Sequence, residues 1–311
     1  MEIEIRTHNN IIPENFWELD ADCLVIGSIA CFHKLSSLDK LQEIYCLSKE
    51  HDKKIKVMIP ITYQAHFDRT VNYIEHIINN YPEIMISFND WGVLYEISQR
   101  TKNQNISNLF SVSQGIIYSY LENPWLVDIL RNEREEIRNE LKASYNISTK
   151  KSFARLRKFN VREIEIQYLA GLFDSVNELK ENGFTVNAFM DYWIISFARA
   201  CHVCRLKKVK PGHNCQHLCS RPYLAKIAYA ADIPGVPLIN EVSEETRKLV
   251  PEYYTYGNEI YYKNNDGFDA EGLSLFDKIT IDARFYSSFD DLVKAVTKIR
   301  DNSIKYSAIA T

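Results

Sequence analysis

At 311 residues, with 46% hydrophobic and 25% charged side chains, the chain has the material for a large core and neither the polar excess of a disordered segment nor an apolar run of membrane-spanning length. A net charge of −4 supplies no electrostatic footprint for nucleic acid or for a membrane surface. The segment Met1-Glu2-Ile3-Glu4-Ile5-Arg6 lacks the charged-then-apolar layout of a secretory signal. The expected compartment is the cytosol, where seven cysteines point to metal ligation rather than to a disulfide framework.

Short β-branched runs recur along the chain, most of them followed by a helical pattern. Residues 22–28 (Asp-Cys-Leu-Val-Ile-Gly-Ser) and 55–61 (Ile-Lys-Val-Met-Ile-Pro-Ile) read as buried strands, as do 84–88 and 109–112. Helical stretches are expected at 37–50 and 67–80. Further strands are expected at 163–166, 185–189, 259–262 and 278–281. Eight strands alternating with helices are the sequence form of a parallel (β/α)8 barrel, here expected as one domain over residues 1–311. Active sites of such barrels lie at the C-terminal ends of the strands. Cys31, His33, Tyr63, Asn89, Asp90, Gln114, Gln167, Tyr168, Asp191, Tyr192, Asp282 and Arg284 are therefore expected on one face.

The connection from Glu122 to Asn160, between the fourth and fifth expected strands, is longer than one crossover helix requires. Asn123-Pro124 reads as a helix start, and Leu126, Leu130, Ile137 and Leu141 share roughly one face. Acidic Glu133, Glu135, Glu136 and Glu140 alternate with Arg131, Arg134 and Arg138, and Lys150, Lys151, Arg155, Arg157, Lys158 and Arg162 form a basic run. Such a run reads as a solvated face or as a docking surface for a partner protein or an anionic substrate.

Cys201, Cys204, Cys215 and Cys219 fall within nineteen residues, with His202, His213 and His217 among them. Thiolates brought this close need a cation or a cluster to neutralise them. Two readings stand. A C-x2-C, x10, C-x3-C arrangement closes a tetrahedral zinc site by itself. Alternatively, three of these cysteines and Cys31, which follows the first expected strand onto the same face, hold an iron–sulfur cluster. Cys23 and Cys46 read as small buried apolar residues.

At this point the chain resembles the peptidase U32 family, in particular its branch that binds a [4Fe–4S] cluster and supports oxygen-independent hydroxylation. The residues that carry the resemblance are Cys31, Arg199-Ala200-Cys201, Cys215 and Cys219, the turn Asn89-Asp90-Trp91-Gly92, and Thr280-Ile281-Asp282-Ala283-Arg284, in that family's order along a barrel. The resemblance implies Cys31, Cys201, Cys215 and Cys219 as cluster ligands, with Cys204 an extra cysteine beside Cys201. It also implies prephenate as an oxygen donor and a paralogous U32 protein as heterodimer partner. Asp90 and Asp282 are then candidates for proton handling and Arg284 for gripping a carboxylate of a small-molecule substrate. The structural alternatives are an Asp282–Arg284 pair and an Asp90 helix cap. The family's Glu-x-Phe-x-His-Gly pattern is replaced by Asn187-Ala188-Phe189-Met190-Asp191-Tyr192, which argues against proteolysis because Asn is no general base. Three functions are expected in order: a cluster enzyme or enzyme subunit, a non-catalytic cluster-bearing partner, and last a peptidase.

Overall fold

The computed structural model describes residues 1–7, 12, 14–117, 149–168, 173–190, 192–198, 200–209, 215, 217–225, 253–264 and 270–309. In chain order the strands are β1 (Glu2–Arg6), β2 (Cys23–Gly27), β3 (Lys54–Ile59), β4 (Met85–Phe88), β5 (Phe110–Val112), β6 (Val161–Gln167) and β7 (Thr185–Phe189), then β8 (Tyr192–Phe197), β9 (Tyr223–Ala225), β10 (Tyr253–Tyr256), β11 (Glu259–Lys263) and β12 (Lys278–Asp282). The helices are α1 (Leu38–Glu50), α2 (Phe67–Asn80), α3 (Trp91–Arg100), α4 (Lys150–Lys158), α5 (Phe173–Glu181), α6 (His202–Leu206), α7 (Ala270–Ser274) and α8 (Phe289–Ile309). None of the described helices is long and apolar enough to cross a membrane.

Eight parallel strands close into a barrel in the order β1-β12-β7-β6-β5-β4-β3-β2, with helices outside. The fold is a (β/α)8 barrel, as expected, but its staves differ from the expected set. Glu2–Arg6 is a stave. Glu259–Tyr262 is not; it lies in β11, inside a four-stranded antiparallel sheet of order β8-β11-β10-β9. The pattern in β1 was obscured because its lumen-facing residues are all charged: Ile3 and Ile5 pack into the shell beneath the helices while Glu4 and Arg6 are buried on the other side. The long connection consequently runs between the fifth and sixth staves, and the cysteine-rich segment follows the seventh. Residues 118–148, including Asn123-Pro124 and the acidic run, lie outside the described residues; α4 and its basic side chains close that connection.

Helix faces follow the 3.6-residue period. Leu41, Ile44 and Ser48 of α1 and Thr70, Val71, Ile74 and Ile77 of α2 are the buried residues of those helices, and Ser37 caps α1 by accepting from Lys40 N. Cys46, expected to be buried, is exposed on α1, off the stripe that Leu41, Ile44 and Ser48 define.

The lower lumen is ionic. Lys56 Nζ, from β3, donates to Glu4 Oε2 at 2.6 Å and to Glu163, and lies 3.2 Å from Glu165 Oε1. Lys278 Nζ meets Glu163 Oε2 at 2.7 Å. Asn187 donates to Glu4 Oε2 at 2.8 Å and accepts from Thr280 Oγ1 at 3.0 Å, which binds it into this layer. Burial pushes the Glu4 carboxyl up, and Glu163 and Glu165 reinforce it against Lys56 and Lys278. Burial acts on Glu163 in the same direction, yet its two lysine contacts prevail and lower it to about 2.

The antiparallel sheet covers the C-terminal mouth of the barrel. Ile194 N donates to Gln114 Oε1 at 3.0 Å, Gln167 Nε2 donates to Ile194 O at 3.2 Å, and Tyr63 OH donates to Ala198 O at 3.3 Å. A second apolar cluster spans the seam, joining Val25, Ile29 and Met58 of the barrel to Ile194, Tyr256 and Tyr261 of the sheet and to Val203 and Cys219.

Candidate functional site

The loop after β2 and the tip of the β10–β11 hairpin build one side of the covered mouth. Ser28 Oγ accepts from Cys31 N at 3.0 Å, setting the turn that presents Cys31, and a 3-10 turn at Phe32–Lys34 follows. The hairpin tip is Gly257-Asn258, between the paired Tyr256 and Glu259. Asn258 Nδ2 donates to Ala30 O and to Ala198 O, both at 2.9 Å, fastening the tip to the Cys31 loop and to the end of β8. Gly257 O accepts from Val203 N at 3.2 Å, bringing in α6, whose N-cap is Cys201.

Cys31, Cys201, Cys204, Cys215 and Cys219 are thereby gathered around the hairpin tip as free thiols. Burial pushes the Cys204 thiol up to about 11, with the neighbouring Cys201 and the fields of Cys215 and Cys219 adding to the shift. Burial pushes the Cys31 thiol up to about 12; Lys34 opposes the shift, while Glu259, Cys219 and Cys215 reinforce it. Cys219 is raised by burial, against Lys34 and with Cys201 and Cys215. The cysteines of the two distant segments thus lie within one another's fields, although among the described residues no three His, Cys, Asp or Glu side chains converge tightly enough to hold a single metal ion.

Lys34 sits among them. Its side chain is 1% exposed, its Nζ lies 3.4 Å from the centre of the Tyr256 ring, and that Nζ has no hydrogen-bond acceptor among the described residues. Burial lowers its basicity, and Glu259, Cys31 and Cys219 resist the shift. A buried ammonium normally has a full set of acceptors. Here the groups it faces include two thiols whose ionised or metal-bound forms would be such acceptors. Gly257 keeps this space open: its φ of +68° is in the left-handed region, and a Cβ there would stand 3.0 Å from Lys34 Nζ and 4.0 Å from Cys219 Sγ. The residues present therefore fit an anionic, thiolate-held group.

On the other side of Lys34 lies a buried ion network joining sheet to barrel. Glu259 is wholly buried; its Oε1 accepts from Ser28 Oγ and from Ala30 N at 2.9 Å, and its Oε2 accepts from Tyr261 OH. Burial favours protonation of Glu259, but Lys34, Arg6 and Arg284 overcome it and hold the carboxyl well below the usual range. Arg284 Nε donates to Asp282 Oδ1 at 2.7 Å and its Nη2 donates to Asp282 Oδ2 and to Tyr261 OH. Arg6 Nη1 lies 3.8 Å from Asp282 Oδ2 and Arg6 Nη2 lies 3.8 Å from Glu259 Oε2.

Asp282 and Arg284 are thus brought to the mouth and paired with each other. Asp90, after β4, caps α3: its Oδ1 accepts from Val93 N at 3.0 Å and its Oδ2 from Thr62 N at 3.1 Å. Asn89 holds the neighbouring loops, donating to Ile59 O and accepting from Gly115 N. Asp191 and Arg199 lie outside the described residues. Lys34, Glu259 and Arg6 were not anticipated from sequence. The Gly257-Asn258 pair flanked by tyrosines is a hairpin signal that would have removed Glu259 from the barrel count. Nothing local marks Lys34, because an isolated lysine is ordinarily a surface residue.

Fold and site together define a (β/α)8 barrel whose covered mouth carries a group of cysteines beside a buried ion network. No protein-family model and no curated protein matches the chain. Among solved structures, 91% of the chain is similar to 92% of the U32 peptidase Mk0906, at 9% identity and a TM-score of 0.42. The chain is also similar, over 100% of both, to a D-tagatose 3-epimerase-like protein at 11% identity and a TM-score of 0.42. Likeness at this level assigns neither family nor activity.

Proposed function

We propose that Cys31, Cys201, Cys215 and Cys219 bind a [4Fe–4S] cluster, and that the protein catalyses or supports hydroxylation of an organic substrate without dioxygen. The observation that carries the cluster half is Lys34: a buried ammonium without an acceptor among the described residues, facing Cys31 and Cys219 where Gly257 carries no side chain. The alternative is a single zinc on Cys201, Cys204, Cys215 and Cys219, which needs no ligand from the Cys31 loop. Once bound, the cluster would supply electron transfer at the barrel mouth. Lys34 offsets its negative charge, Tyr256 shields that ammonium from water, and the hairpin tip ties the Cys31 loop to the segment bearing the other ligands.

The hydroxylation half, with prephenate as oxygen donor, rests on the resemblance of the cysteine set and of the turns at Asp90 and Asp282 to the U32 branch. A second reading is a non-catalytic, cluster-bearing partner of a paralogous protein. It is favoured by the commitment of Asp90 to a helix cap and of Asp282 and Arg284 to each other, which occupies the two aspartates expected to handle protons and the arginine expected to grip a carboxylate. A peptidase is disfavoured, since Asn187 is hydrogen-bonded into the ionic lumen.

The test is iron, sulfide and zinc content with an absorption spectrum on protein purified without oxygen, for the native chain and Cys31→Ala. Iron and sulfide in about a four-to-four ratio, lost in the variant, support the cluster. One zinc per chain, indifferent to Cys31, refutes it. Substrate turnover by the single chain, against turnover only with a paralogue added, separates enzyme from partner subunit.

A further inference from the structure

We infer that the surface beside the cysteine group, made by α6 and the approach to β9, docks an acidic protein that delivers single electrons. The inference deepens the function proposed above by naming a partner class, and its electron-carrying role rests on the cluster reading. Between Asp191 and Asp232 the chain has seven lysines and arginines and no acidic residue, so the rest of the chain carries −11 against a total of −4. Arg205, Lys207, Lys208 and Arg221 of this segment are exposed, and none of the four has an ion pair among the described residues. Elsewhere on the surface, Lys40 faces Glu43, Lys54 faces Glu2, and Arg100 faces Glu75 and Glu96. A run of unpaired cations on an acidic protein is a local field waiting for an anionic partner.

The patch is built against the cysteines. Cys201 caps α6 and Cys204 lies within it. Lys207, just past the end of α6, places its Nζ 5.1 Å from the centre of the Tyr223 ring, and the guanidinium carbon of Arg221 is 5.8 Å from the same centre. Tyr223 OH donates to Leu218 O at 3.2 Å, next to Cys219. Leu206 and Leu224, the chain neighbours of Lys207 and Tyr223, are each 57% exposed. Exposed aliphatic side chains among unpaired cations match an interface with an apolar centre and a charged rim, which an acidic protein complements. A nucleic-acid strand stacks its bases on free aromatic faces, whereas the Tyr223 ring is engaged by two cations. Standing in water, these charges do little to offset a cluster, a task that falls to the buried Lys34. Their effect is on the encounter with a partner of opposite sign. The step is one electron passing from the reduced carrier to the oxidised cluster: the cluster gains what the carrier loses, and no bond or proton is exchanged.

The test titrates a plant-type [2Fe–2S] ferredoxin, an acidic one-electron carrier, into the full chain by calorimetry, and follows cluster reduction by the reduced ferredoxin in stopped flow. The double variant Lys207→Glu, Arg221→Glu is compared with Lys150→Glu, Lys151→Glu, an equal change of charge at the exposed start of α4. The expected result is saturable binding that weakens about tenfold or more in the first variant, and likewise between about 50 mM and about 500 mM salt, with a matching loss of reduction rate. The α4 variant is expected to stay within about twofold of the native chain. Absence of saturable binding overturns the inference, as does an equal loss in both variants, which reports net charge and no docking surface. A single-stranded oligoribonucleotide that binds more tightly than ferredoxin, with the same loss in the first variant, makes this a nucleic-acid surface and also overturns it. Iron analysis of the native sample separates this reading from the cluster. Ferredoxin binding without iron keeps the docking surface and refutes the cluster with its electron role, whereas iron without binding refutes the docking surface and keeps the cluster.

Discussion

Replacing Lys34 by Met separates a structural lysine from the counter-charge of a cluster, because the two roles predict opposite signs. In the chain without cofactor, Lys34 is an ammonium buried to 1% exposure with no acceptor among the described residues, held by the Tyr256 ring and the field of Glu259. Methionine fills similar volume without desolvating a charge. Glu259 meanwhile keeps Arg6, Arg284 and its hydrogen bonds from Ser28, Ala30 and Tyr261. The apo variant is therefore expected to be within about 1 kcal/mol of native stability, or more stable. The loaded protein loses a positive charge beside an anion: at an effective dielectric of about 20 and a separation of roughly 6 Å, that is about 3 kcal/mol. Iron retention against a chelator should fall about a hundredfold and the cluster potential should drop by on the order of 100 mV. Thermal melts before and after anaerobic reconstitution, chelator competition and spectroelectrochemistry measure these, with Lys34→Arg expected to keep most of the effect. A Lys34→Met protein that holds iron at native affinity and potential, or that loses the same stability with and without iron, refutes the reasoning.

Lys56→Met removes the cation shared by Glu4, Glu163 and Glu165 and should cost about 3–5 kcal/mol in urea unfolding, with partial recovery when Glu163→Gln is added. The acid limb of stability should carry the signature of Glu163. Its carboxyl is depressed to about 2, so its contribution is fully present above the unfolded value near 4.5 and is lost as pH falls from there towards 2, on the order of 3 kcal/mol in all. Stability curves of Glu163→Gln should flatten in that window; an unchanged slope contradicts the assignment. Asp90→Ala should lower stability by about 1–2 kcal/mol through loss of the α3 cap while leaving iron content native, checked by melting and metal analysis.

The barrel was legible because its outer layer obeys a simple rule. Every stave places branched apolar residues under the helices, and seven of the eight carry a run that local periodicity detects. The exception, β1, fills its lumen positions with Glu2, Glu4 and Arg6. Such a strand looks polar to any window, since the lysines that neutralise it arrive from β3 and β12. The opposite error, counting Glu259–Tyr262 as a stave, arose because aromatic and β-branched residues suit an antiparallel ribbon as well as a parallel barrel. Only the partner strand decides.

From the sequence alone came the barrel, the convergence of the post-strand residues, and the pairing of Cys31 with a distant cysteine segment, all of which follow from spacing and period. The tertiary structure alone decided which charged groups are free and which are committed. Asp90 and Arg284 carry the same residue types that catalysis uses, and their saturation by Val93 N, Thr62 N and Asp282 is a matter of neighbours up to dozens of residues away. Lys34 and Arg6 appear in the sequence as ordinary cations. Burial among thiols and carboxylates whose acceptors do not reach them is what sets them apart, and burial is a property of the assembled fold.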